Sequence, residues 1–582
     1  MNRKRVQTLL LAVVLALTAA LAACSQNGTD GGNSGKKTGE QTDDSGQTKS
    51  DTGVKMESGP LGKYDPPIEL TTVRSVNAGV QFQGDDSYDS NIWTKDYESV
   101  LGIKVKNKWK VSDQQYQNKM TVTIVSGDTP DFMLVDAQQF QTLVQAEQLL
   151  DLTSLFDEYA TDLTKSSLDE AGGVKRQAGT VGGKLYGIAA DGGGRDDAHL
   201  LYIRQDWLDN LKLEPPKTMD DVIKIAIAFT KDDPDQDGQN NTYGLALEKN
   251  LFGGWAALNG FMNGYHAYPY NPGNGNGTSL VFMKGADGKP VWADAQPEVK
   301  TALGKLSELF KAGVIYPEFS VIDGVKAGEL ATSGKVGMTF GSFYVPTWPI
   351  NNMKKENPKV EWGIYPIVSA DGEAAKALST SVVPTKFYVI SKKSKHPEAV
   401  IKLLNYTNEK LHGESRDIKY HTVKDANGNS LSVHMYPPIS GTFADKNQSY
   451  FYQLQDALDK KDPSGLDEEA KLYYDQVMQY RSGDWTVWFA GKLWDKGGVF
   501  DRLGEYKKEE RIVVTSYLGA PTPTMLSKGT ALRDLEVKTF TEIIMGAKPL
   551  DYFDEFVKQW HEQGGQQILD EVDAMSGGGA SQ

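Results

Sequence analysis

One cysteine, Cys24, stands in a chain of 582 residues. A single thiol excludes an intrachain disulfide framework and any cysteine-rich zinc site. Buried apolar surface must therefore hold the fold. Domains cluster at roughly 100–200 residues, so two or more folding units are expected. Apolar residues make up 39% and charged residues 24%, which excludes a multispanning membrane protein and a wholly disordered chain. The histidines are scattered, and none forms an H-E-x-x-H helix or another zinc-spaced pair.

The 77 acidic and 62 basic residues leave a net charge of −15. That sign excludes nucleic acid as the main partner, because phosphates demand clustered Lys and Arg. It also argues against contact with anionic lipid through the body of the protein. A neutral or cationic ligand is easier to accommodate, although a local basic pocket leaves room for an anion.

The N-terminus reads as an export signal. Arg3, Lys4 and Arg5 precede an apolar run from Leu9 to Ala20, which is too short to span a bilayer comfortably. Residues 1–23 form the leader, and Leu21-Ala22-Ala23-Cys24 resembles a bacterial lipobox. The resemblance implies cleavage before Cys24 and a diacylglycerol on its thiol, with palmitate as an expected acyl group. Each buried methylene of such chains adds about 0.8 kcal/mol of membrane affinity. Residues 24–59 are rich in Gly, Ser, Thr, Asp, Gln and Lys and read as a disordered tether of roughly 30–35 Å reach.

The body alternates strand and helix patterns. Ile68–Val73 reads as a strand, and a helix ends at Gly102 before Ile103-Lys104-Val105. Residues 114–126 have helical spacing and end at Gly127; Phe132–Val135 is a compact apolar run between Pro130 and Asp136. This alternation predicts an α/β sheet with crossover helices, whose ligands sit beyond the carboxyl ends of strands. The segment after Val135 is therefore placed for contact. So is the loop Ser126–Asp131, which makes Asp128 a candidate, with turn and cap chemistry as the competing role for Asp128 and Asp131. Asp287-Gly288, Asp371-Gly372 and Asn427-Gly428 mark three candidate hairpins.

Several ordered motifs carry a family resemblance. They are Leu200–Leu208 leading to Pro216–Asp221, then Gly334–Met338, Tyr388–Lys392, Phe540–Gly546 and Trp560–Gly565. Together they resemble the extracellular solute-binding lipoproteins that feed carbohydrate ABC importers, such as oligosaccharide-binding lipoproteins of Gram-positive bacteria and alginate-binding proteins. The resemblance covers most of residues 65–573. It implies an α/β, two-lobed periplasmic-binding-protein-like fold of class II, with lobes joined by hinge crossings. The crossings fall near residues 186–190, 379–389 and 517–524. Lobe I then takes residues 60–190 and 381–520, and lobe II takes 191–380 and the C-terminal helices 521–582.

Asp233-Pro234-Asp235-Gln236-Asp237-Gly238 places carboxylates at positions 1, 3 and 5 of a loop, with Gly at position 6. Calcium takes six to eight hard oxygens, and this spacing folds three carboxylates around one point. Gln239 offers a backbone carbonyl, and Asn241 and Thr242 complete the candidate shell. Position 12 lacks the usual Glu, which lowers the charge of the site. The alternative is a solvated acidic turn.

Sugars present apolar C–H faces between hydroxyls, so aromatic rings and planar polar groups suit them. Trp255, Tyr265, Tyr344, Trp348, Trp485 and Trp488 lie in or near Gly-punctuated loops and are candidate platforms, each competing with a core role. Asp191-Gly192-Gly193-Gly194-Arg195 follows the first crossing, which makes Asp191 and the Arg195 fork candidates. The leading expectation is a non-catalytic, monomeric receptor, lipid-anchored on the extracellular face of a Gram-positive-like cell membrane. It captures an oligosaccharide and delivers it to the permease of an ABC importer, with structural calcium and no nucleic-acid partner. The alternative is a tethered carbohydrate-active enzyme, a glycoside hydrolase or lyase. That chemistry needs a facing carboxylate pair, which no motif isolates.

Overall fold

Ile103–Ser112 alternates apolar and charged residues, as a half-buried strand should, and it pairs in parallel with Ile68–Val76. The helix Ile92–Leu101 joins the two. Asn91 caps its start by accepting from the Trp93 and Thr94 amides, and Gly102, at φ 66°, ends it. Both strands run further than the apolar pattern alone predicted. The computed structural model describes residues 55–77, 80–271, 280–425, 430–519 and 521–577. The leader 1–23, Cys24 and the tether as far as residue 54 lie outside the described residues, as do residues 426–429 of the third candidate hairpin.

Two hydrophobic cores organise the body. The first gathers Leu70, Trp93, Phe132, Phe140, Ile188, Val389 and Leu403. Its sheet places Lys386–Ile390 between Phe132–Asp136 and Gly187–Ala189, antiparallel to both. Asp131 ties this sheet to the parallel pair, accepting from the Thr71 amide and hydroxyl at 2.8 and 2.6 Å. The second core surrounds a four-stranded sheet in the order Tyr243–Leu245, Val336–Gly341, Leu200–Arg204, Trp362–Tyr365. Trp207 packs edge-on to Phe229 beneath it, and Gly337 is bare because a Cβ there would lie 2.3 Å from the Phe229 ring. The body is thus α/β and two-lobed, with strands crossing between the lobes.

The cores divide the chain differently from expectation at one segment. Residues 450–517 were expected in lobe I. Instead Phe451, Leu454, Val477, Phe500 and Tyr506 join the core that holds Leu201 and Trp362. Their helices meet specific partners there. Tyr506 accepts from the Ile367 amide at 2.7 Å, and Phe500 lies 6.0 Å from Phe343. The third crossing therefore falls between Ile439 and Tyr450, not at 517–524.

Three smaller expectations are also corrected or refined. The tether was drawn to residue 59, yet Lys55–Met56 pairs with Tyr64–Asp65. The cause lies in the helix Pro397–His412, whose buried Lys402 donates to the Gly59 carbonyl at 2.6 Å and whose Asn405 donates to that of Pro60 at 3.0 Å. Asp287-Gly288 does turn a hairpin between Phe282–Lys284 and Pro290–Trp292. Asp371-Gly372 does not, because its flanking strands pair with Leu200–Arg204 and Ile512–Val513 instead.

Leu454→Ala tests the regrouping. The truncation of this buried side chain is expected to cost about 2–5 kcal/mol. Hydrogen exchange should then accelerate in Leu200–Arg204 and not in Phe132–Asp136; the reverse pattern would place the helix in the other core.

Candidate functional site

Two aspartates bracket the glycine run after the first crossing. Asp191 accepts from the Thr385 amide and hydroxyl at 2.7 and 2.6 Å and from the Lys386 amide at 3.1 Å. Asp197 accepts from the Thr380 and Ser381 amides, both at 2.9 Å, and from the hydroxyls of Ser379, Thr380 and Ser381. Between them Gly192 sits at φ 91°, where a Cβ would lie 2.7 Å from the Pro384 ring. Only glycine satisfies both demands. The outgoing and returning crossings are thereby clamped side by side.

A cavity of about 320 Å³ opens over this clamp. The first lobe contributes Asp136, Ala137, Gln138 and Phe387 to it. The second contributes Tyr270, Thr515, Tyr517 and Met525, and the return crossing runs along it from Ser379 to Lys386. Asp136 ends its strand, so the cavity lies beyond that strand's carboxyl end. Its size falls at the low end of small-ligand sites, roughly 300–1,000 Å³.

The two cavity tyrosines are braced from behind. Tyr517 meets Phe282 edge-on at 6.0 Å, and its hydroxyl lies 3.4 Å from the Met575 sulfur. The Tyr270 amide donates to Asp294 at 3.0 Å, and Asn271 donates to Glu536 at 2.7 Å. Asp294 and Glu536 are fully buried and act on each other electrostatically. Burial first, and the facing Glu536 second, push the Asp294 carboxyl well above the usual range. Burial also raises Glu536. Both shifts favour the protonated form, so the pair is suited to sharing a proton.

The sequence-predicted platforms are placed elsewhere. Trp255 is 1% exposed, donates to the Gly324 carbonyl at 3.0 Å and meets Trp348 edge-on. Trp488 is likewise buried and donates to Glu361 at 3.2 Å. Tyr265 is buried in the second core and Tyr344 packs against it. These four are corrected to structural roles, because Gly-punctuated loops here fold over the core. Trp348 and Trp485 are more than a third exposed but do not line the cavity. Asp128 pairs with Lys108 on the surface, since its loop enters the strand that Asp136 leaves. Arg195 is half-buried, its Nε without a hydrogen-bond partner, and does not line the cavity. Asp191 serves as the clamp.

Sequence reading missed Tyr270 and Tyr517 as platforms, and Asp197. Tyr270 closes the aromatic loop already singled out, and Tyr517 opens a segment taken for a crossing. For the Asp294–Glu536 pair no local signal exists, because the partners are distant in sequence.

The acidic loop brings one carboxylate oxygen from each of Asp233, Asp235 and Asp237 within 4.8 Å of the others. Asp233 accepts from the Asp237 and Gly238 amides at 3.1 and 3.0 Å. Asp235 and Asn241 each leave a buried side-chain oxygen without a hydrogen-bond partner. Burial and the neighbouring Asp237 raise the Asp235 carboxyl, as a site short of positive charge should. These residues fit a hard divalent cation. Thr242 is corrected: its hydroxyl turns inward and donates to the Phe229 carbonyl at 2.7 Å. No bond of the Gln239 carbonyl bears on its proposed role.

Glu536→Gln tests the shared proton. A carboxyl raised in the folded state stabilises below its unfolded pKa, and that stability is lost as pH rises through the folded value. Wild-type melting temperature should fall from mildly acidic toward alkaline pH, and the variant should flatten that slope. An unchanged slope would refute the pairing.

Comparison with known proteins agrees with this architecture. The family described as bacterial extracellular solute-binding protein matches residues 93–411, more than half of the chain. Lipoprotein LipO of Bacillus subtilis is 23% identical over 83% of this chain and 88% of its own length. The polygalacturonan/rhamnogalacturonan-binding protein YtcQ of the same organism is 26% identical, over 43% of this chain and 46% of its own. Among solved structures, the ABC-transporter substrate-binding protein FusA of Streptococcus pneumoniae, in complex with kestose, superposes with a TM-score of 0.55 at 16% identity. It covers 88% of this chain and 99% of its own. FusA is also solved as an EF-hand mutant, with a TM-score of 0.54. These likenesses share the fold. No helix among the described residues is long and apolar enough to cross a membrane. The chain belongs to the bacterial extracellular solute-binding proteins.

Proposed function

We propose that this protein captures an extracellular oligosaccharide and passes it unchanged to the permease of an ABC importer. The observation that carries the reading is the cavity, built by both lobes at their crossings and walled by two tyrosines and a row of hydroxyls. A ligand there touches both lobes and so favours their closed arrangement. Tyrosine faces suit the C–H faces of sugars, and hydroxyls suit their rims. FusA, named a fructooligosaccharide ABC transporter substrate-binding protein, supports it. The hydrolase alternative is disfavoured, since glycosidases flank the bond with two carboxylates. Asp136 is the one carboxylate among the described lining residues.

The N-terminal motif supports a lipoprotein, moored through Cys24 to the outer face of the cell membrane. The acidic loop supports calcium, held by Asp233, Asp235, Asp237 and Asn241 with the Gln239 carbonyl. Its role is structural, because none of these residues lines the cavity.

Two measurements test the reading. Saccharides are screened by thermal melting and product analysis together. A ligand at 100 times its Kd stabilises by about 2.7 kcal/mol. A melting shift without cleavage is expected, and Tyr270→Ala should weaken that ligand about tenfold, or ~1.4 kcal/mol; cleavage products would overturn the receptor. Separately, chelation should lower the melting temperature and added calcium restore it, with Asp235→Asn insensitive to both.

A further inference from the structure

Along the return crossing the cavity's hydrogen-bonding groups are not balanced between donors and acceptors. Ser379, Thr380 and Thr385 present hydroxyls to it. Each gives its proton to a carboxylate behind the wall: Ser379 and Thr380 to Asp197, Thr385 to Asp191. The amides of Thr380, Thr385 and Lys386 go to the same two carboxylates, at 2.9, 2.7 and 3.1 Å. A hydroxyl that has donated its proton keeps only lone pairs. This wall accepts hydrogen bonds and offers almost none.

The opposite wall is closed to anions by another route. The helix Ala137–Gln145 begins at the cavity, and a helix start attracts negative charge. Asp136 already occupies that position, accepting from the Gln139 amide at 2.8 Å. The Ala137 amide is taken by the Thr385 carbonyl at 3.1 Å. Lys386 is the one cationic side chain among the described lining residues. It stands directly opposite Asp136 in the strand register, which places a carboxylate beside it without an ion pair.

We infer that the cargo is an uncharged oligosaccharide, bound through its own hydroxyl protons, and that the cavity refuses uronic acid chains. The inference rests on the saccharide-capture reading above and narrows it. A uronate carboxylate only accepts hydrogen bonds, and here it would be buried against the acceptors of the return crossing, with Asp136 beside the one lysine. The net charge of −15 opposes its approach as well.

Calorimetric titration of the mature protein with kestose, maltotriose and a wider neutral panel, against trigalacturonate and an alginate trimer, tests this. At least one neutral sugar should bind, and both uronates should bind at least 100-fold more weakly than it. Asp136→Asn retains the helix cap, because Asn caps as well as Asp, and leaves Lys386 unopposed. Trigalacturonate affinity should rise several-fold in that variant and fall again with added salt. A uronate that binds wild type more tightly than every neutral sugar overturns the inference and leaves saccharide capture standing. An unchanged trigalacturonate affinity in Asp136→Asn overturns the charge argument. Silence from the whole panel, neutral and acidic, overturns the capture reading itself.

Discussion

Asp191 and Asp197 hold two crossing strands against each other, and the site between the lobes exists because they do. Each carboxylate accepts from backbone amides and hydroxyls of the return strand. Hydrogen bonds to an ionised acceptor are roughly twice as strong as neutral ones. Between the two anchors the chain needs φ of 91° and a close approach to Pro384, which glycine alone allows. The clamp sets where Ser379, Thr385 and Phe387 stand, and so sets the cavity floor. The same carboxylates consume the floor's donors, which gives an architectural contact a chemical consequence for the ligand.

Aromatic side chains are divided between two tasks, and burial decides which. Trp207, Trp255, Trp292, Trp362, Trp488 and Trp560 are fully buried. A tryptophan removes a large apolar surface from water, so a core of this size claims most of them. The cavity is left with tyrosines, whose hydroxyls reach polar partners while their rings stay available. Tyr270 keeps its place through the buried Asp294–Glu536 pair, whose carboxyls burial raises.

Membership in the extracellular solute-binding proteins rests on a match across residues 93–411. Identity to the known relatives is low, and such distance preserves a scaffold more readily than a ligand. Relatives named for a charged polymer and for neutral fructans share it. Cargo choice must therefore lie in the few groups that face the cavity, not in the fold.

The local elements were legible in the sequence because their signals are local. The alternation of Ile103–Ser112, the cap at Gly102, the compact run ending at Asp136 and the spacing of Asp233, Asp235 and Asp237 are all set by neighbours along the chain. The expected leader and its cysteine likewise rest on consecutive residues. Which tryptophans face ligand was not legible, because a loop tryptophan and a core tryptophan look alike until the loop is folded. Nor was the grouping of residues 450–517, which depends on distant partners such as Ile367 and Phe343. The tertiary structure alone turned Asp191 from a ligand candidate into a clamp and brought Asp294 to Glu536. Both outcomes require residues far apart in the chain to meet, and no spacing rule along a single strand of sequence encodes such a meeting.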